Sequence, residues 1–210
     1  MRIYTYTLLT DGSSDEALMP MIDWLINQHF SDMRFQSQFV RGLGKVGSDL
    51  LSRIDAALRQ FPCDVLILHR DAEKESHAIR SAEVRRASDQ RNQCCVSVVP
   101  VKMTEAWMLS DEPAIRAAAG NRYGKNALEL PSKTQWELLN DPKQVLLDAL
   151  AKASEKSGRA LQKFQTQKHR HSVTRLTRSF SALRGLRAFD AFENEFVQQI
   201  NKLRNKLDHK

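Results

Sequence analysis

The sequence predicts an α/β fold: a mostly parallel, Rossmann-like sheet of about four strands flanked by helices, followed by a C-terminal helical subdomain. Three observations carry this. Val65, Leu66, Ile67 and Leu68 form an unbroken apolar run of strand length, as expected of a strand buried on both faces. That run stops at polar residues, His69, Arg70, Asp71 and Glu73. The runs at 4–9 and 96–101 stop in the same way, before Asp11 and Asp15 and before Lys102 and Glu105. Helix-patterned stretches separate the strand-like runs, so the two element types alternate through the first half.

In chain order, residues 3–10 read as the first strand. Ser13 or Ser14 caps the following helix, where Asp15 and Glu16 meet the positive end of the dipole, and Leu18, Met21, Ile22, Leu25 and Ile26 recur at helical spacing. Pro20 marks a bend in its first turns. Residues 35–40 read as a second, less buried strand. Gly42, Gly44 and Gly47 make a loop before a helix over 48–60, which Pro62 ends. Residues 75–92 read as a polar outer helix, and 95–101 as the fourth strand, broken by Pro100. After Glu105 the pattern changes. Ala106, Trp107, Met108 and Leu109 predict a short apolar helix, and the helical pieces beyond it are separated by Gly120, Gly124, Pro131, Pro142 and Gly158. The expected division is an α/β domain over 1–112 and a helical subdomain over 113–210 packed on it. The last helix, from Leu186, carries Phe189, Phe192, Phe196, Ile200 and Leu203 on one stripe. That stripe fits packing on its own domain, with a homo-oligomer face as the lesser alternative.

The 210 residues suit one domain with a smaller appendage. Thirty-two Lys and Arg against 25 Asp and Glu give +7, which permits a polyanionic partner without requiring one. Cys63, Cys94 and Cys95 have neither zinc-site nor disulfide spacing, and an odd count points to a reducing cytoplasm. No apolar run approaches the ~20 residues that span a bilayer, so no membrane partner is expected. There is no phosphate-binding Walker loop, dinucleotide glycine fingerprint or nucleophile elbow.

Ligands of open α/β sheets bind past the carboxyl ends of the strands, where the acids lie. Asp11 and Asp15 place a strand end and a first helical turn toward one point, with Gly12 between them allowing close backbone approach. Asp71 and Glu73 share a face in extended chain. Glu105 opens the short helix beside Trp107. Taken singly, each acid reads as a cap or loop residue. Together they would repel one another without a cation, which makes Asp11, Asp15, Asp71, Glu73 and Glu105 candidate ligands for Mg²⁺ or Mn²⁺. A pair of such ions clamps the attacking and leaving oxygens in phosphodiester cleavage. Asp11, Asp71 and Glu105 would then be catalytic, with Lys102 stabilising charge on the phosphate.

At these residues the chain resembles the Toprim fold of the OLD-family nucleases and of small stand-alone Toprim proteins in bacterial antiphage systems, often encoded beside an ABC-type ATPase. Leu8 to Glu16, including Asp11-Gly12, is similar to the family's Glu-Gly motif. His69-Arg70-Asp71-Ala72-Glu73 is similar to its Asp-x-Asp motif, and Val99 to Trp107 to a strand-to-helix element shared by small defence-associated members. The resemblance implies a divalent-metal-dependent nuclease, with an ATPase subunit as a further partner. Two departures stand out: Asp11 replaces the family's Glu, and His69 its first Asp. Histidine is a poor Mg²⁺ ligand, so Glu73 supplies the missing oxygen, the preference moves to Mn²⁺, or activity is weak or lost. His69 also reads as a core histidine. The alternative it favours is a non-catalytic regulatory or binding subunit of an ATPase-containing complex.

Residues 156–187 contain no acid and nine Lys and Arg, together with His169 and His171. Lys168, Arg170, Arg175 and Arg178 are the expected contacts to a nucleic-acid backbone. With only Phe164 and Phe180 interleaved, base stacking is not indicated.

Overall fold

A computed structural model of the chain describes residues 2–72, 75–91 and 93–208. It is an α/β protein that divides into two units. The first runs to Val101 and resumes at Gly185, and the second is Lys102–Arg184.

The first unit holds a four-stranded sheet of β1 (Ile3–Leu9), β2 (Arg34–Phe39), β3 (Val65–His69) and β4 (Cys94–Val98), in the order β2-β1-β3-β4. All pairings are parallel, the Rossmann-like arrangement that the alternation predicts. The chain winds from β1 outward to β2, then crosses back to place β3 on the other side of β1. The β1/β3 boundary is therefore the topological switch point, where open sheets place their ligands. Register sets what meets there: Leu9 lies opposite Leu68, so the residues leaving β1 come up beside His69.

β3 is buried along its whole length, including His69 at 2% exposure. Its four apolar side chains, each contributing roughly 1.5–3 kcal/mol on burial, explain why it is central. Leu66 and Leu68 join Leu9, Ile54, Ala57, Val84 and Ala87 in one core layer. The helices supplying that layer are α2 (Leu50–Gln60), capped by Asp49, and α3 (His77–Asp89), capped by Ser76. Arg91 ties α3 to α2 through a two-pronged contact with Asp55, at 2.6 and 2.7 Å. After β1 comes a short 3₁₀ helix, Ser13–Leu18, and then α1 (Met19–His29). Pro20, where the sequence suggests a bend, occupies the first turn of α1, where its missing N–H costs nothing.

The chain's final helix, α10 (Arg187–Asp208), belongs with the sheet. It packs on β4, and Glu195 accepts from the Ser97 N–H at 3.1 Å, which covers the sheet's edge. Its Phe192 and Phe196 rings stack edge-on, and Phe196 meets Phe30 of the same unit. This return is why the observed division, at Val101/Lys102 and Arg184/Gly185, differs from the single boundary at 112/113 drawn from the sequence.

The second unit contains α4 (Glu105–Met108), α5 (Glu112–Ala118), α6 (Lys133–Trp136), α7 (Pro142–Ala153), α8 (Gly158–Gln162) and α9 (Thr166–Leu176). Asp111 and Asp141 cap α5 and α7 through their side chains, each with proline in the first turn. α5, α7 and α9 pack on one another and α4 packs on α7, burying Trp107, Ile115, Leu146, Leu150 and Val173. Among the described residues of the chain, no helix is long and apolar enough to cross a membrane.

Candidate functional site

The turn after β1 is built by short-range bonds. Thr10 Oγ1 donates to the Gly12 carbonyl at 2.6 Å, and the Gly12 N–H donates to Asp15 Oδ2 at 3.2 Å. These bonds aim Asp15 at the end of β3. There the His69 ring lies between two carboxylates: Nδ1 is 3.4 Å from Asp15 Oδ2, and Nε2 is 3.2 Å from Asp71 Oδ1. Burial alone would push the imidazole toward its neutral form. The two flanking acids outweigh it and raise the pKa to about 9. For Asp15, burial pulls upward, but the His69 contact and the Gly12 N–H hold the carboxyl below the usual range. The ring is thus inserted between the Asp15 and Asp71 side chains, an arrangement that favours its protonated form.

Asp11 faces a different set of partners. Its Oδ1 accepts from Arg53 Nη1, and its Oδ2 from Arg70 Nε at 3.0 Å. Arg53 also donates to the Thr10 carbonyl at 2.6 Å. Arg70 reaches on to Glu83, which Arg80 also contacts. The result is a chain of alternating charge from α2 across the strand ends to α3. Burial opposes ionisation of Asp11, and the two guanidinium groups overcome it, so its carboxyl titrates below the ordinary value.

A cation such as Mg²⁺ or Mn²⁺ needs several oxygens converging on one point at about 2.0–2.6 Å. The His69 ring separates Asp15 from Asp71, with one nitrogen turned to each, and Asp11 is held by two arginines. Among the described residues, no three His, Cys, Asp or Glu side chains are grouped to hold a metal ion. The described donors, as placed, do not fit the expected ion. Glu73, the remaining candidate ligand at this strand end, lies outside the described residues. Beside the strand ends, a cavity of about 280 Å³ opens against Gly12, Arg41, Gly42, Gly44 and Arg53.

Glu105 and Lys102 belong to the second unit. Glu105 is buried and paired with Arg170 of α9, each side chain 9% exposed. Arg170 is therefore an internal counter-ion, while Lys168, Arg175 and Arg178 are exposed as a backbone-binding surface requires. Lys102 is half-buried. Of the sequence-predicted acids, the structure thus brings Asp15 and Asp71 to one ring and sets Asp11 in the adjoining arginine network. The residues missed by sequence reasoning are the cations: Arg53, Arg70 and Arg170 as counter-ions, and His69 as the bridge. Arg70 stood in plain view beside Asp71. Arg53 and Arg170 carry no local signal.

Comparison of the chain with protein-family models, with curated proteins and with solved structures finds no match.

Proposed function

We propose that the chain is a non-catalytic, Toprim-like nucleic-acid-binding module. One observation carries this reading: each described carboxylate of the expected metal set already has a cationic partner in its own chain. Asp11 has Arg53 and Arg70, Asp15 and Asp71 have His69, and Glu105 has Arg170. Charges compensated in this way hold the strand-end turns in place and have no need of an added cation. The surplus positive charge lies instead in the acid-free stretch, whose exposed Lys168, Arg175 and Arg178 suit a phosphate backbone. A role in antiphage defence, and an ABC-type ATPase as partner, rest on the Toprim resemblance alone and are proposed on that basis.

A second reading, the divalent-metal-dependent nuclease, is favoured by one feature: Asp15 and Asp71 come from two different strand ends to a single ring at the switch point. The two readings separate in one experiment. The purified chain is incubated with labelled DNA and RNA, with Mg²⁺, with Mn²⁺ and with chelator, and both retention and cleavage are followed. The binding-module reading expects salt-sensitive retention and intact nucleic acid under all three conditions. Mn²⁺- or Mg²⁺-dependent cleavage that disappears in Asp71→Ala would establish the nuclease and remove the module. Absence of retention on any nucleic acid would remove the binding function itself.

A further inference from the structure

The turn from α8 into α9 builds a small site that the sequence pattern conceals. Phe164 and His169 stack there, with ring centroids 4.4 Å apart and planes 24° from parallel. His169 is held from behind: its Nδ1 lies 2.7 Å from the Ala118 carbonyl at the end of α5. A carbonyl only accepts, so Nδ1 carries the proton and the ring orientation is fixed. Lys156 places its ammonium 5.9 Å from the centre of the Phe164 ring. These residues, with Ala160, Lys163 and Lys168, line a cavity of about 360 Å³. All three lysines are exposed. The acid just upstream, Glu155, accepts from the backbone N–H groups of Lys125 and Asn126, the latter at 2.7 Å.

An aromatic surface held in place and rimmed by ammonium groups is the combination that binds unpaired bases. Stacking takes the flat face of the base, and lysines take the phosphates on either side. A duplex buries its base faces and gains only the lysine contacts. We propose that the Phe164–His169 pocket receives an unpaired base of single-stranded nucleic acid, with Lys156, Lys163 and Lys168 holding the flanking phosphates. The proposal rests on the nucleic-acid reading above and specifies its mode. It also adds stacking, which the sequence alone does not indicate.

Fluorescence anisotropy of the full chain tests it, using labelled oligothymidine, oligouridine and a hairpin duplex over a range of salt. Single strands should bind more tightly than the duplex. Phe164→Leu, which keeps the bulk and loses the aromatic face, should weaken single-strand binding about tenfold or more, and Phe164→Tyr should restore it. Replacing the three lysines with alanine should lower the salt slope by about 2. A thiouridine-substituted strand should cross-link within residues 156–169, a readout that does not depend on any variant folding. Unchanged affinity in Phe164→Leu, cross-links only elsewhere, or equally tight binding to anionic phospholipid vesicles would overturn the pocket while leaving nucleic-acid binding in place. A wild-type chain that binds no nucleic acid would overturn both.

Discussion

At the carboxyl ends of β1 and β3, and at Glu105 in the second unit, acids sit against cations of the same chain. Along residues 156–187, by contrast, the lysines and arginines other than Arg170 follow one another without a single acid among them. The first arrangement is a structural use of charge. Removing such groups from water is costly, and the cost is recovered only if each finds its counter-ion in good geometry. The second is an interactive use, since unbalanced surface charge raises the local concentration of an oppositely charged partner. The difference teaches where to look for function. The described acids that first read as cation ligands each lie against a basic side chain of their own chain, and the surplus +7 of the chain has its clearest outlet on the helical unit.

The largest effect expected from breaking this contrast is at Glu105. Glu105→Ala leaves Arg170 buried without its counter-ion, and urea unfolding should show a loss of about 3–5 kcal/mol. The pair Glu105→Leu with Arg170→Met, which removes both charges, should recover most of that. Recovery would show that the ion pair compensates its own burial and does little beyond it.

Next comes His69. Its folded-state pKa is raised to about 9 from an ordinary value near 6.5. The proton's contribution is therefore fully present below the unfolded value and is lost as pH rises through the folded one. Its full size is on the order of 3 kcal/mol. Stability measured from neutral pH upward should fall through about pH 9, and His69→Ala should lack that slope. Asp15 works with the opposite sign. Its lowered pKa supplies stability above the ordinary carboxylate value that disappears as pH falls through the folded one, and Asp15→Asn should lack that acid limb.

A smaller effect is expected at Arg53. Asp11 is 42% exposed and keeps Arg70, so Arg53→Ala should cost only about 1 kcal/mol in the same unfolding assay. Smallest in stability are Arg175→Ala and Arg178→Ala. Each should leave unfolding within about 0.5 kcal/mol of wild type and lower the salt slope of single-strand binding by about 0.7. The strand-end variants should leave that slope unchanged, and a shift there would blur the division between structural and interactive charge.

The fold was legible where burial alone dictates residue type. A strand covered on both faces admits no exposed polar face, so Val65 to Leu68 announces itself. The helix-breaking Pro62 is likewise local. What could not be read was which distant residues meet. Arg53 is 42 positions from Asp11, and Arg170 is 65 from Glu105. Nothing in one sequence ties a carboxylate to a guanidinium at that range. The aromatic stripe of α10 announces a buried face but not that its partner is β4, and so the unit boundary moved. Phe164 and His169 escape periodicity because a turn, not one continuous helix, brings their rings together. His69 is the most instructive case. Core histidine and metal ligand were both open to it, and the flanking acids raise its pKa to about 9, which favours a buried cation.

The state of that ring is the most direct test. Nitrogen-detected NMR of the histidine-labelled protein reports whether each imidazole nitrogen carries a proton. At neutral pH His69 should be protonated on both nitrogens, and millimolar Mg²⁺ should leave it so. A neutral ring, or a proton released as Mg²⁺ is added, would mean that the strand-end acids await a metal after all.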